Sequence, residues 1–159
     1  MKVLITDTFP TIEVTTTQGV ITLPDEYAGH WFVFFSHPGE FPIIDDEHRS
    51  ISIQLGKLRA DQAESVTARS VIVVDPHGVV RTILEYPKEL GRNMDEIVRI
   101  LNGLQLFDSS NLMAPANWPH NEITGDQVLI PPSVKLTAAQ VDEQHVTQVS
   151  DWFRYRATA

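Results

Sequence analysis

Five consecutive bulky apolar residues, Trp31-Phe-Val-Phe-Phe35, leave this chain few folds to choose from. A run so short and so unbroken has no polar alternation, so as a strand it needs cover on both faces, which predicts a central place in a sheet. It runs into Ser36-His-Pro-Gly-Glu-Phe-Pro42, where two prolines and a glycine stop strand and helix alike. A second run of this kind, Arg69-Ser-Val-Ile-Val-Val-Asp75, leads into the turn Asp75-Pro-His-Gly78, after which residues 79 to 84 read as its hairpin partner. None of these runs approaches the roughly 18 apolar residues that a membrane helix needs. The start, Met-Lys-Val-Leu-Ile-Thr, lacks a signal-peptide core, and a cytoplasmic location is expected.

The remaining elements follow from spacing. Thr11-Ile-Glu-Val-Thr-Thr-Thr and Val20-Ile-Thr-Leu flank Gln18-Gly19, the pattern of a β-hairpin. A short helix is expected from Asp45 or Asp46, with acids at its start and Lys57 and Arg59 at its end, although Ile51, Ile53 and Leu55 alternate as a strand would. Asn93 followed by Glu96 is a cap signal, and Met94, Ile97, Val98, Leu101 and Leu104 fall on one predicted helix face. Residues 111 to 132, with Pro115, Pro119, Pro131 and Pro132, read as an extended arm outside the core. A last helix is expected from Thr137, with Val141, His145, Val149 and Trp152 on one face. The order in the middle of the chain, a parallel crossover, then an antiparallel hairpin and a covering helix, matches a reduced thioredoxin-like α/β core.

Composition excludes more than it suggests. The 159 residues contain no cysteine, so no disulfide, thiolate nucleophile, iron-sulfur cluster or cysteine-ligated zinc can be built. Twelve basic against 21 acidic residues give a net charge of −9, which repels nucleic acid and anionic membranes. The mean hydropathy of −0.11 is that of a globular chain.

Few constellations remain for chemistry. His37 with Glu40 offers an acid-base pair, or simply a loop histidine bonded to backbone. Asp45, Asp46, Glu47 and His48 carry donors for a divalent ion, but consecutive side chains diverge and a helix start explains the acids. His30, His77, His120 and His145 lack zinc-site spacing, and Ser36 lacks a nucleophile elbow. No cofactor and no metal is expected. Trp31, Trp118 and Trp152 read as packing anchors, and Arg92 and Arg99 as decoration of the helix near Asn93.

Several blocks together resemble the peroxiredoxins of the alkyl hydroperoxide reductase type, in particular the one-cysteine-like branch with a C-terminal arm. They are Phe9-Pro-Thr-Ile-Glu with Thr17-Gln-Gly-Val-Ile-Thr-Leu, His30-Trp-Phe-Val-Phe-Phe-Ser-His-Pro38, Phe41-Pro-Ile-Ile-Asp-Asp-Glu-His-Arg49 and Thr67-Ala-Arg-Ser-Val-Ile-Val-Val-Asp-Pro-His-Gly78. Tyr86-Pro, Gly91-Arg-Asn-Met-Asp-Glu-Ile-Val-Arg99, Leu104-Gln105 and Ala114-Pro-Ala-Asn-Trp-Pro119 continue the order. The resemblance implies a thioredoxin-like fold, here as residues 1–107 followed by an arm of residues 108–159. It also implies a homodimer through a sheet edge and the arm, while the net charge and the short apolar runs predict no nucleic acid and no membrane partner.

In that family Pro-x-x-x-Thr-x-x-Cys supplies the thiolate that attacks peroxide. Pro38 matches the proline, but Pro42 stands at the threonine and Asp45 at the cysteine. A carboxylate cannot form a sulfenic acid. A better alignment puts residues 41 to 49 on a family segment well downstream of the cysteine. What is missing is then the cysteine, the helix it caps, the following strand and another helix, together close to one whole βαβ crossover, and Asp45 is a coincidence of spacing. The resemblance carries the peroxide-polarising arginine to Arg69, which leaves Pro38, Arg69 and His37 as a remnant pocket. The expected function is a structural or interaction module without thiol peroxidase activity. The alternatives are a deleted or truncated form of an active peroxidase, or a thiol-independent activity at His37, Glu40, Asp45 and Arg69.

Overall fold

The computed structural model describes residues 3–35, 44, 46, 50–56, 69–87 and 89–158. It divides into two compact units, Met1–Arg92 and Asn93–Ala159, so the helix after Asn93 groups with the residues that follow it.

In the first unit, β1 (Ile12–Thr16) and β2 (Gly19–Leu23) form the expected hairpin, with Ile12 facing Leu23 and Thr16 facing Gly19. Ile12, Val14 and Thr16 alternate inward along β1, as one covered face of a ribbon requires. The second sheet contains β3 (Phe32–Phe35), β4 (Arg69–Val74) and β5 (Val80–Tyr86) in that order. Both pairings are antiparallel. The parallel crossover expected between the two apolar runs is therefore not what joins them: β3 lies directly against β4, with Phe35 opposite Val71. Nor is β3 central. Among the described residues it is an edge strand with all four residues half-buried, while Val71 to Val74 of β4 are completely enclosed.

The core of this unit joins both sheets. Phe9 meets Phe32 edge-on with ring centroids 5.6 Å apart, and Tyr27 lies 5.3 Å from Phe32. Ile72, Val74 and Val80 pack with Ile12, Val14 and Leu23. The short helix α1 (Ser50–Gln54) adds Ile51 and Leu55, one turn apart. It starts later than Asp45 or Asp46 because Asp46 lies ahead of it as an acceptor, taking hydrogen bonds from the amides of Ile51 (2.9 Å) and Ser52 (3.0 Å). The turn between β4 and β5 is held by Asp75. One carboxylate oxygen accepts from the amides of His77 and Val79, and the other accepts from Arg81 at 3.2 Å. Gly78 takes φ +75 there, with Pro24 so close that a side chain would also be crowded.

The second unit corrects three expectations. Helix α2 (Met94–Ser110) is capped by Asn93 as expected, but its covered side carries Ile97, Ile100, Leu101 and Leu104, while Met94 and Val98 are exposed. Both sets satisfy helical spacing, and only packing selects between them. The region read as an arm outside the core has a core of its own. Leu112, Val128 and Ile130 are buried there with Trp118 and Val146 against them, and β6 (Val128–Leu129), β7 (Thr147–Gln148) and β8 (Arg154–Arg156) form a sheet in the order β6-β8-β7. Helix α3 (Ala138–Glu143) has the full Thr137–Gln140 capping box but stops early. His145 adopts a left-handed backbone at φ 51 and the chain turns into β7, so Val149 and Trp152 end in a hairpin turn and not on a helix face.

Asp75 is nearly buried and serves three donors, so Asp75→Ala should lower unfolding stability by about 2–4 kcal/mol. Asp75→Asn, which keeps an acceptor for the two amides, should lose less. Urea midpoints of the two variants check this, and an equal loss in both would reject the turn as the cause.

Candidate functional site

The register of β3 and β4 fixes what can gather at the end of the sheet. Phe35 faces Val71 across the ladder, and directly opposed residues share a face. Arg69, two residues from Val71 along β4, lies on that face, just beyond the end of β3. Arg92 joins it: its guanidinium stands 5.5 Å above the Phe35 ring. Burial, and then the positive charge of Arg69, hold the Arg92 guanidinium below its usual pKa. Two cations and an aromatic ring thus occupy the sheet end from which the chain leaves β3 toward His37 and Pro38.

Arg69 is the one member of the expected remnant pocket whose position can be given; it is exposed at the head of β4. His37 and Pro38 lie outside the described residues, as do Glu40, Asp45 and His48. Arg92 does not decorate the helix as expected: it belongs to the first unit and stacks on β3. Its pairing with Arg69 depends on the sheet register and leaves no local pattern. Arg99 fits the simpler reading: it forks onto Glu96 one turn back at 2.6 and 2.8 Å, and this hydrogen bond draws the Glu96 carboxyl below its usual range. His30, His77, His120 and His145 are all exposed, and among the described residues no three metal-ligating side chains come together. Of the tryptophans, Trp118 packs in the second core and Trp31 lies under Arg81, whereas Trp152 is exposed and is no packing anchor.

Chemically, paired guanidinium groups can hold an anion or polarise an O–O bond. They cannot supply the electron pair that breaks it.

No family model matches the chain. A solved yeast mitochondrial 1-Cys peroxiredoxin superimposes with a TM-score of 0.80 at 23% identity, covering 98% of this chain and all of that one. The fold is therefore thioredoxin-like, of the peroxiredoxin type. Peroxiredoxin 2 of Sulfurisphaera tokodaii is 35% identical over 207 aligned positions, covering 96% of both chains. A peroxiredoxin of Methanothermobacter thermautotrophicus is 34% identical over 201 positions, covering 94% of this chain and 96% of its own. The chain belongs to the peroxiredoxin family. An alignment of 207 positions that uses 96% of a 159-residue chain leaves about fifty positions of the relative with no counterpart here. That is close to the size of a βαβ crossover, and no cysteine remains anywhere in the chain.

Because Arg69 is exposed at the head of β4, Arg69→Ala should change unfolding stability by no more than about 0.5 kcal/mol. Denaturant titration measures this. A loss above about 1 kcal/mol would show that Arg69 has a structural partner and is not a remnant of a vanished site.

Proposed function

We propose that this protein is a peroxiredoxin-family member without thiol peroxidase activity that works as a cytoplasmic structural or interaction module. One observation carries the reading: the family's reaction requires a thiolate, and this chain contains no cysteine. Arg69, to which the resemblance carries the peroxide-polarising arginine, is exposed at the head of β4, and a guanidinium by itself supplies no nucleophile. The positions unmatched by the relatives favour one further reading, an internally deleted form of a thiol-dependent peroxidase. Genomic sequence between the codons for Phe41 and Pro42 separates the two: coding sequence there supports the deleted form, and its absence supports a chain that has stabilised without the crossover.

The module is proposed to act as a homodimer through the β3 edge and residues 108–159. Support comes from the half-buried side chains of β3 and from exposed apolar residues in the second unit, including Val149 and Trp152.

Mixed with hydrogen peroxide and dithiothreitol, the protein should show no turnover above buffer. Only its three methionines can be oxidised, and dithiothreitol does not return them. Peroxide consumption that continues beyond three equivalents and disappears in Arg69→Ala would establish a thiol-independent enzyme instead.

Light scattering at micromolar concentration should give the mass of a dimer, and amide exchange across residues 31 to 35 should slow as concentration rises. A monomeric mass rejects the dimer; a dimer whose exchange there is independent of concentration places the contact elsewhere.

A further inference from the structure

In the first unit, cations lie over aromatic rings: the Arg81 guanidinium over Trp31 and that of Arg92 over Phe35. The unit Asn93–Ala159 holds a row of rings over which no cation stands among the described residues. Trp152, Phe153 and Tyr155 touch in series, with ring centroids 5.7 and 5.6 Å apart. Tilts of 38° and 50° keep each ring from lying flat on its neighbour, so part of each face stays open. Phe153 and Tyr155, two residues apart along one extended segment, share a face of the small sheet. Trp152, 70% exposed, ends the row at the hairpin turn.

The cations nearest in sequence are turned away from this row. Arg154 is buried and donates to the carbonyls of Pro131 and Val134, and Arg156 bends to that of Ala157. Asp151, by contrast, stands exposed beside Trp152, and its carboxylate makes no hydrogen bond or ion pair among the described residues. The turn is fixed from within. The Val149 amide donates to the Phe153 carbonyl at 3.0 Å, and the Phe153 amide donates to Ser150 Oγ at 3.1 Å. Rings and carboxylate are therefore in place before anything binds, which lowers the entropy cost of a guest.

We infer that this row binds a methylated ammonium group, with the cation over the ring faces and the Asp151 carboxylate beside it. Charge and hydration together select the guest. An aromatic face is the negative part of the ring quadrupole, and Asp151 adds a full negative charge at its edge. A primary ammonium holds its water through three N–H donors, whereas a trimethylammonium has none, sheds water at little cost and lays its methyl groups on the rings. A neutral hydrophobe of the same shape gains the burial alone. The site requires Trp152 to stay open, so it leaves the proposed homodimer the β3 edge and the rest of residues 108–159.

Proton NMR of choline titrated with the full chain tests the site. Ring currents should move the trimethylammonium resonance upfield in a saturable way. The carbon isostere of choline, with tert-butyl in place of trimethylammonium, should bind about fivefold more weakly or worse. Trp152→Ala should weaken choline binding about tenfold, and Asp151→Asn about threefold. Trp152 and Asp151 are exposed, so both variants should keep the fold, which far-UV circular dichroism checks. An acetylated trimethyl-lysine amide run beside choline distinguishes a side-chain source of the group from a free one, and tighter binding of either supports the site. Equal affinity for choline and its isostere overturns the selection for charge. Choline binding that is absent, or unchanged in Trp152→Ala, overturns the site. Trp152 emission, taken as wild type minus Trp152→Ala, should stay that of an exposed indole as protein concentration rises. A blue shift shows Trp152 covered by a second copy, which overturns the ammonium site and leaves the homodimer standing.

Discussion

The first unit depends on the two-sided pairing of β4. Its residues Val71 to Val74 are fully enclosed, and it is the strand with a hydrogen-bonded neighbour on each side. The pairing with β5 needs a tight return, and Asp75 supplies it by gathering two turn amides and Arg81 onto one carboxylate. Once that turn is set, the N-terminal segment is tied to it: Phe9 donates to the Gly78 carbonyl at 2.7 Å, and the amide of Val80 donates to Asp7. The β1–β2 hairpin then closes over Ile72 and Val74. The alternating β1 and the unbroken β4 are two halves of one arrangement, a ribbon covered on one face lying over a strand covered on both.

The same pairing explains what the site keeps and what it lacks. Arg69 opens β4, and the antiparallel register with β3 brings it to the face on which Phe35 supports Arg92. Here about fifty positions present in a relative have no counterpart, and with them goes the sulfur. Arg69 stays because β4, the strand that carries it, is needed for folding, whatever becomes of the chemistry.

The second unit solves a separate problem. A segment with so little regular secondary structure needs an interior of its own to stay ordered, and Leu112, Val128 and Ile130 provide one. Buried Arg154 ties that interior together by donating from Nη2 to the carbonyls of Pro131 and Val134. Asn111 ends α2 in a left-handed conformation and turns the chain toward β6, and the Met113–Leu129 bridge begins the small sheet.

The sequence by itself determined the elements whose signals are local. The Gln18-Gly19 hairpin, the Asp75–Gly78 turn, the Asn93 cap and the Thr137–Gln140 capping box each depend on residues within a few positions of one another, and each is present. Family membership was legible too, because it is carried by many short blocks in order, and the loss of thiol chemistry follows from counting cysteines. Tertiary structure decided the rest. Whether Trp31-Phe-Val-Phe-Phe35 is central or at an edge depends on a neighbouring strand, and the apolar run is the same in either case. Whether Met94 or Ile100 is covered depends on which side of α2 meets another surface. Arg92 joined Arg69 because of a strand register that pairs Phe35 with Val71, far apart in sequence, and in the 108–159 region Arg154 reaches back to Pro131. Local chemistry is written in neighbouring residues; edges, faces and charge pairs are set by which distant segments come to lie side by side.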